Sequence, residues 1–269
     1  SLVLMVGFSE PFSYDRLIRA DDVLHTWPLW HRILFVQGAG LVARFRFYGV
    51  WSLSNAACIL SGLAYHGVDP ATHHARWTRC KNVSVRGVMF ANNWKELLDA
   101  WNSNTNVWLR ENVYKRLAKP GKRPGFKSMM VTFIVSAFWH GISLGYYMTF
   151  ILAGLYQYIA RLLRKSLRPV FFANIRTPDP TLCTFREYTP LQVVYSICSI
   201  IATQVTVDFA VISFLTLDLG STLRAWKSAD YYGFFILAVA FAAFWLGLGR
   251  ALKPFHQTQT ELPNRPKKL

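Results

Sequence analysis

Acidic residues and cysteines are scarce in this chain of 269 residues. It contains 14 Asp and Glu against 30 Lys and Arg, and 16% of its residues are charged, whereas soluble domains average about a quarter. Its four cysteines form no Cys-x-x-Cys pair, which excludes a disulfide scaffold and a simple zinc ribbon. Apolar residues make up 52% of the chain and aromatic residues 16%, which excludes intrinsic disorder. The chain is therefore a large soluble domain or a polytopic membrane protein.

Long runs without Asp, Glu, Lys or Arg favour the membrane protein. A spanning helix needs about 20 mostly apolar residues. A run at residues 33–43 reaches that length only if it continues through Arg44 and Arg46, whose side chains would snorkel or face a polar interior. We predict an all-α fold, a polytopic transmembrane helical bundle with amphipathic helices at the interface. The long runs are residues 47–68, 128–160, 188–207 and 231–249.

The lengths of these runs suggest where the helices divide. Residues 30–65 are typical of two helices or of one bent pair. Residues 128–160 would form a straight helix about 50 Å long, which exceeds one bilayer core, so we expect a bend or a split near Gly141 and Gly145. A polar connection is expected at residues 69–81.

The two ends of the chain set the expected domain boundaries. The sequence opens on an uncharged run at residues 1–9 with no basic segment before it, which is unlike a signal peptide. We interpret the sequence as the C-terminal part of a longer protein that holds further helices. Residues 1–252 are assigned to the transmembrane domain, and residues 253–269 to a polar, flexible tail.

Residues 92–117 carry an amphipathic pattern. Trp and Leu recur at spacings of three and four, which predicts one helix with an apolar stripe near the membrane surface. Asn92 or Asn93 can cap its start by accepting a backbone N–H bond. Two Pro-Gly turns in residues 119–125 then end the segment. The stripe consists of Trp94, Leu97, Leu98, Trp101, Thr105 and Trp108.

The net charge of +16 is concentrated in loops between the apolar runs. Residues 110–127 and 161–168 are especially basic. Such an excess of Lys and Arg is typical of cytoplasmic loops and attracts anionic headgroups; the same groups suit a phosphate-bearing substrate. We therefore expect membrane lipids as partners, and no nucleic acid. The adjacent His73 and His74 have no third ligand at metal spacing, so no metal site is expected.

Two polar features stand out against the apolar background. His140 lies near the middle of residues 128–160, and an ionisable group at membrane depth usually faces a cavity or a partner. Its unperturbed pKa of about 6.5 suits a general base at neutral pH. A structural hydrogen bond between helices would also explain a histidine at this depth. The amides of residues 102–106 lower helix propensity, and they are either a fraying interfacial segment or hydrogen-bonding groups aimed into a site.

These same residues resemble the motifs of a known family. Trp101-Asn-Ser-Asn-Thr-Asn-Val-Trp-Leu-Arg110, followed by Asn112-Val-Tyr-Lys-Arg-Leu117, resembles the Asn motif of the membrane-bound O-acyltransferases (MBOAT). Ser136-Ala-Phe-Trp-His-Gly-Ile-Ser-Leu-Gly-Tyr-Tyr147 is similar to the family's Trp-His-Gly-x-x-x-Gly-Tyr motif. Residues 43–62 are similar to the fungal lysophospholipid acyltransferase branch. The resemblance is close over residues 43–150 and looser beyond them.

The resemblance implies a multi-helix protein of the endoplasmic reticulum membrane that transfers an acyl chain from acyl-CoA to a lysophospholipid. It implies no cofactor, with acyl-CoA as co-substrate. The family's catalytic Asn and His correspond to Asn102 and His140, with Asn104 as the alternative for the Asn. Two departures bear on substrate choice or packing: Asn55 lies in a segment that commonly holds an acidic residue, and Thr78 follows Trp77 where relatives favour Trp-Asp.

Acyl transfer would divide the chemistry among these groups. His140 would accept the proton of the lysolipid hydroxyl, and Asn102 would orient that hydroxyl or stabilise the developing oxyanion. No Cys or Ser pairs with an evident base, so we expect direct transfer without an acyl-enzyme. Arg110, Lys115 and Arg116 are candidates for binding the CoA phosphates.

Further residues complete the expected site. Asn104 and Trp139 are candidates for substrate contact, while Phe138, Tyr146 and Tyr147, like Trp139, are expected to pack rather than to act in catalysis. Three alternatives stay open: an acceptor other than a lysolipid (a sterol, diacylglycerol or a protein), a transporter with His140 in its pathway, and an inactive membrane scaffold.

Overall fold

The structure is a computed structural model that describes residue 7 and residues 10–19, 23–118, 121, 124–172 and 188–255. Within these ranges the regular secondary structure is helical, apart from an isolated β-bridge between Val68 and Ala75. The predicted all-α fold is confirmed. The opening run through residue 6 and the tail beyond residue 255 lie outside the described residues.

Eleven α-helices are described in these ranges, together with a π-helix that directly follows α5 and two short 3-10 helices. The α-helices are α1 (Asp15–Ile18), α2 (Leu29–Leu60), α3 (Val85–Met89), α4 (Trp94–Ala100), α5 (Ser103–Leu109), α6 (Phe126–His140), α7 (Leu144–Phe171), α8 (Pro190–Thr216), α9 (Leu219–Ser228), α10 (Tyr232–Trp245) and α11 (Leu248–Ala251). The π-helix is Arg110–Tyr114, and the 3-10 helices are Val23–Thr26 and Lys253–Phe255.

Two of the described helices, α2 and α8, are long and apolar enough to cross a membrane. Helices α9 and α10 would form a third span if counted together, although they meet at a bend of 76°. The run at residues 231–249 does not span alone, because α10 has 14 residues. The expectation of two helices or a bent pair at residues 30–65 is wrong, since α2 continues without a break for 32 residues.

Helix α2 is continuous because the charge in its middle has partners inside the protein. Arg44 is 8% exposed, and its Nη2 donates to both carboxylate oxygens of Asp208 in α8, at 2.5 and 2.6 Å. Its Nη1 donates to Gln204, whose own amide donates to the Val88 carbonyl of α3 at 2.8 Å. Arg46, by contrast, is exposed. The sequence allows these arginines either to snorkel or to face a polar interior, and Arg44 lies in a polar interior.

The predicted split in residues 128–160 is confirmed between α6 and α7. Gly141 adopts φ 137°, a conformation that L side chains rarely reach. Gly145 lies so close to α8 that a Cβ there would be 2.2 Å from the Ser213 carbonyl oxygen, and its N–H donates to the Leu217 carbonyl at 2.8 Å. The start of α7 is thereby fixed against the end of α8.

The core lies along α7 and α8, which pack against each other, with α6 against α7 and α2 against α8. Phe209 and Ile212 of α8 are fully buried. Phe209 stacks on Trp226 with ring centroids 5.8 Å apart. Trp94 of α4 stacks on Tyr156 of α7 at 5.4 Å and donates to Thr206 of α8 at 3.0 Å. The short helices are thus fastened to the long ones.

The prediction of a single amphipathic helix at residues 92–117 is wrong. Asn93 caps the start of α4 as expected, by accepting the Glu96 N–H. The helix then ends at Ala100, because Trp101 is extended and Asn102 is left-handed, with φ 46° and ψ 51°. The apolar stripe therefore divides between two helices: Trp94 is buried, whereas Trp108 is 55% exposed.

Candidate active site

His140 is the last residue of α6 and lies against rings from three helices. Its ring centroid is 5.6 Å from Tyr146, 5.2 Å from Phe150 and 5.0 Å from Phe214. The neighbouring Trp139 is in edge contact at 4.6 Å. Within the described ranges, neither nitrogen of the imidazole has a hydrogen-bond partner.

The break after α6 determines how this ring is presented. Tyr146 and Phe150 come from the first two turns of α7, while Phe214 comes from the last turn of α8. The close approach at Gly145 and the hydrogen bond between Thr149 and Ser213, at 2.7 Å, hold these two helix ends together. The apolar setting of the imidazole therefore depends on packing between α7 and α8.

Asn102 occupies the break between α4 and α5. A left-handed conformation is uncommon for a residue with a Cβ, though Asn tolerates it better than most. Its side-chain carbonyl accepts a hydrogen bond from Asn82 Nδ2 at 2.8 Å. The preceding Trp101 packs its ring against Phe47 and Trp51 of α2, with centroids 5.5 and 4.8 Å away. Both a polar and an aromatic neighbour thus fix this break.

Asn104, which the sequence offers as the alternative to Asn102, is exposed and is joined to the same neighbour as Asn102. Its backbone N–H donates to Asn82 Oδ1 at 3.1 Å. Asn106 bonds instead to α4, where its side-chain amide donates to the Leu98 carbonyl at 2.9 Å and to the Asp99 carboxylate at 3.0 Å. The amide cluster is therefore an ordered set of bonds across the helix break, which excludes the fraying interpretation.

The basic candidates lie beyond α5 on an exposed surface. Arg110 and Lys115 both pair with Glu111, at 3.3 and 2.6 Å, and Arg116 donates to Asn112 at 3.4 Å. The Lys115 hydrogen bond in particular holds the pKa of the Glu111 carboxyl below its usual value. Because that carboxylate stays ionised, it offsets part of the local positive charge.

The predicted residues form two groups. His140 touches Trp139, while Asn102 and Asn104 are joined through Asn82. Neither a hydrogen bond nor a ring contact links the two groups across the ranges that the structure describes. A cavity of about 190 Å³ among α4, α7, α8 and α10 is lined by neither His140 nor Asn102.

Several residues at these sites have no local signal in the sequence. Asn82 lies near the end of the long connection between α2 and α3, and Phe214 is one apolar residue within a long apolar helix. Glu111 is visible as a lone acid among bases, at the spacing of four that pairs it with Lys115 on a helix. That spacing alone could have predicted the ion pair.

Comparison with known proteins gives a consistent result. Residues 6–211 match the membrane-bound O-acyltransferase family. A protein of Schizosaccharomyces pombe named lysophospholipid acyltransferase is 42% identical over 218 residues, covering 81% of this chain and 41% of that protein. One of the same name from Saccharomyces cerevisiae is 39% identical over 214 residues, covering 79% of this chain and 33% of that protein.

A human relative extends the similarity beyond fungi. Membrane-bound glycerophospholipid O-acyltransferase 2 is 29% identical over 214 residues, covering 80% of this chain and 36% of that protein. The chain thus spans less than half the length of these three relatives. The family match covers most of the chain, including both motif segments, and the chain belongs to the membrane-bound O-acyltransferase family.

Proposed function

We propose that this chain carries the catalytic residues of an acyl-CoA-dependent lysophospholipid O-acyltransferase. The observation that carries the proposal is the His140 imidazole, which has aromatic walls and, within the described ranges, no hydrogen-bond partner. A half-buried imidazole that has no hydrogen-bond partner among the described residues suits a proton acceptor for a substrate. The names of the two fungal relatives support the lysophospholipid acceptor.

The path of the chain supports a shared chamber for Asn102 and His140. The π-helix packs against α6, and Tyr114 donates to the Pro124 carbonyl at 3.2 Å across the turn between them. The π-helix and α6 therefore lie side by side. Helix α5 leads from Asn102 directly into that π-helix, and His140 ends α6. Asn102 and His140 are thus separated from the contact between Tyr114 and Pro124 by similar lengths of helix.

The reaction follows from these two groups. Neutral His140 takes the proton of the lysophospholipid hydroxyl as its oxygen bonds to the thioester carbon of acyl-CoA, a contribution typically worth about 10²–10⁴-fold. Asn102 stabilises the oxyanion that develops on the thioester carbonyl. The carbon–sulfur bond then breaks, and the CoA thiolate, a good leaving group with a pKa near 8.5, collects the proton from the imidazolium. An ester and free CoA are the products.

The remaining assignments concern the donor and the compartment. Arg110, Lys115 and Arg116 bind the phosphates of CoA at the exposed surface after α5, and Trp139 contacts substrate beside His140. The helices α2 and α8 fit a membrane protein, and we assign it to the endoplasmic reticulum, where acyl-CoA and lysophospholipids meet. No further cofactor takes part.

The proposal is tested with full-length protein in isolated membranes. Conversion of several lysophospholipids in the presence of acyl-CoA is measured for the wild type, His140→Ala and Asn102→Ala at equal protein level. His74→Ala, an exposed histidine of the polar connection, is the matched control. We expect each site variant to lose at least about 10²-fold in kcat, and His74→Ala to match the wild type.

Three results would contradict the proposal. Full activity in either site variant would remove that residue from the reaction. Transfer to a sterol, diacylglycerol or protein in place of a lysophospholipid would keep the chemistry and change the acceptor. Solute movement in liposomes without acyl-CoA turnover would favour a transporter.

A further inference from the structure

Asn82 forms three hydrogen bonds with the segment that begins at Asn102, one of the two proposed catalytic residues. Its backbone carbonyl accepts the Ser103 N–H at 2.8 Å. Its side-chain Oδ1 accepts the Asn104 N–H at 3.1 Å, and its Nδ2 donates to Asn102 Oδ1 at 2.8 Å. Three consecutive residues at the start of α5 are therefore bonded to one linker residue that lies 20 positions before Asn102.

These bonds determine which way the Asn102 carboxamide points. The two ends of an amide are distinguished only by their partners. Because a backbone N–H can only donate, the atom of Asn82 that faces Asn104 must be its oxygen. The NH₂ group of Asn82 therefore faces Asn102, and the atom that meets it must be the Asn102 oxygen. The NH₂ group of Asn102 is left to point away from Asn82.

We propose that Asn82 is a positioning residue, which holds the Asn102 carboxamide so that its NH₂ group donates to the substrate. This inference rests on the proposed function and sharpens it. A donor stabilises negative charge on the thioester oxygen, whereas an exposed amide oxygen would instead accept from the lysolipid hydroxyl. Of the two roles open to Asn102, the bond from Asn82 selects oxyanion stabilisation.

Two substitutions at one position separate orientation from stability. Asn82→Asp keeps the size of the side chain and an oxygen for the Asn104 N–H, but it turns a second oxygen toward Asn102. Two facing oxygens repel, so the Asn102 amide flips and presents its own oxygen to the substrate. Asn82→Ala removes both side-chain bonds and leaves the Asn102 amide free to rotate.

We expect Asn82→Ala to be more active than Asn82→Asp but less stable. In full-length protein, kcat should fall by about 10²-fold in Asn82→Asp, as when an oxyanion donor is lost, and by less than about tenfold in Asn82→Ala. The KM for acyl-CoA and for lysophospholipid should stay within about twofold. Thermal unfolding of the purified protein should place Asn82→Ala, not Asn82→Asp, as the less stable variant.

Asn106→Ala is the matched control, because Asn106 bonds across the same helix break without touching the Asn102 side chain. We expect its kcat to stay within about threefold of the wild type. Equal losses in Asn106→Ala and Asn82→Asp, or a lower kcat in Asn82→Ala than in Asn82→Asp, would overturn the inference. Loss of folded protein in both Asn82 variants would also overturn it, since Asn82 would then be structural.

The Asn102→Ala variant separates this inference from the proposed function. If Asn102→Ala loses activity while Asn82→Asp keeps the wild-type kcat, only the positioning role fails. If Asn102→Ala itself is fully active, the proposed catalytic pair fails, and the role of Asn82 fails with it.

Discussion

Arg44 and Asp208 join two membrane-length helices through a buried two-point ion pair. One guanidinium nitrogen of Arg44 lies 2.5 and 2.6 Å from the two carboxylate oxygens of Asp208, and Asp208 is 1% exposed. Gly40 of α2 provides the room, since a Cβ there would be 2.3 Å from Asp208 Oδ1. Neither charge can be removed alone without leaving the other buried and unpaired, which is strongly unfavourable.

Removing either partner is expected to destabilise the protein more than removing both. Arg44→Met or Asp208→Leu alone should cost about 3–5 kcal/mol, the usual result of breaking a buried pair. The double variant should recover much of that loss. Thermal unfolding of purified full-length protein measures the order of the three variants.

Arg46→Met is the matched control for this series, because Arg46 is an exposed arginine on the same helix. It should unfold within about a degree or two of the wild type, as surface substitutions cost less than about 0.5 kcal/mol. A double variant less stable than both single variants would contradict the assignment of the pair.

Phe214 is expected to affect catalysis through His140. Phe214→Leu removes the ring that meets the imidazole edge-on at 5.0 Å. Such aromatic contacts are worth about 0.5–1.5 kcal/mol, which corresponds to a fall of about two- to tenfold in kcat with KM unchanged. Phe138→Leu, at a residue that is 68% exposed, provides the comparison. If the two variants lose the same activity, the role of the Phe214 ring is refuted.

Charge reversal after α5 should weaken the apparent affinity for acyl-CoA. We expect Arg116→Glu to raise the acyl-CoA KM by about three- to tenfold at low salt, and added salt to shrink the effect. Lys115→Glu should act in the same direction but also leaves Glu111 without its lysine partner. Lys95→Glu, an exposed lysine on α4, should leave KM unchanged. An unchanged KM in Arg116→Glu would remove the phosphate contact.

Local features of the sequence predicted some elements correctly. The all-helical fold follows from the long uncharged runs. The division between α6 and α7 follows from Gly141 and Gly145 in a run too long for one helix. The N-cap at Asn93 follows from an amide just before an amphipathic segment. In each case the determining group lies within a few residues of the feature.

Distant partners explain where the sequence failed. The spacing of Trp94, Leu97, Leu98 and Trp101 is helical, yet the helix ends because Asn82 supplies bonds to the next turn. Likewise, Arg44 marks no helix boundary, because its charge is matched 164 positions away by Asp208. Contacts of this range depend on how helices pack, which periodicity within a single segment does not encode.

The length of α2 has a consequence for the surrounding bilayer. Its 32 residues extend about 48 Å, against a hydrocarbon thickness of about 30 Å. Even a tilt of 40°, the upper end of the usual range, shortens its projection only to about 37 Å. At least one turn therefore protrudes into the headgroup layer. Trp30 in the first turn is 58% exposed, which suits an aromatic ring at the headgroup layer. Arg32 in the same turn pairs with Asp230 and donates to the Ser228 carbonyl at 2.7 Å, so the protruding turn stays attached to the junction between α9 and α10.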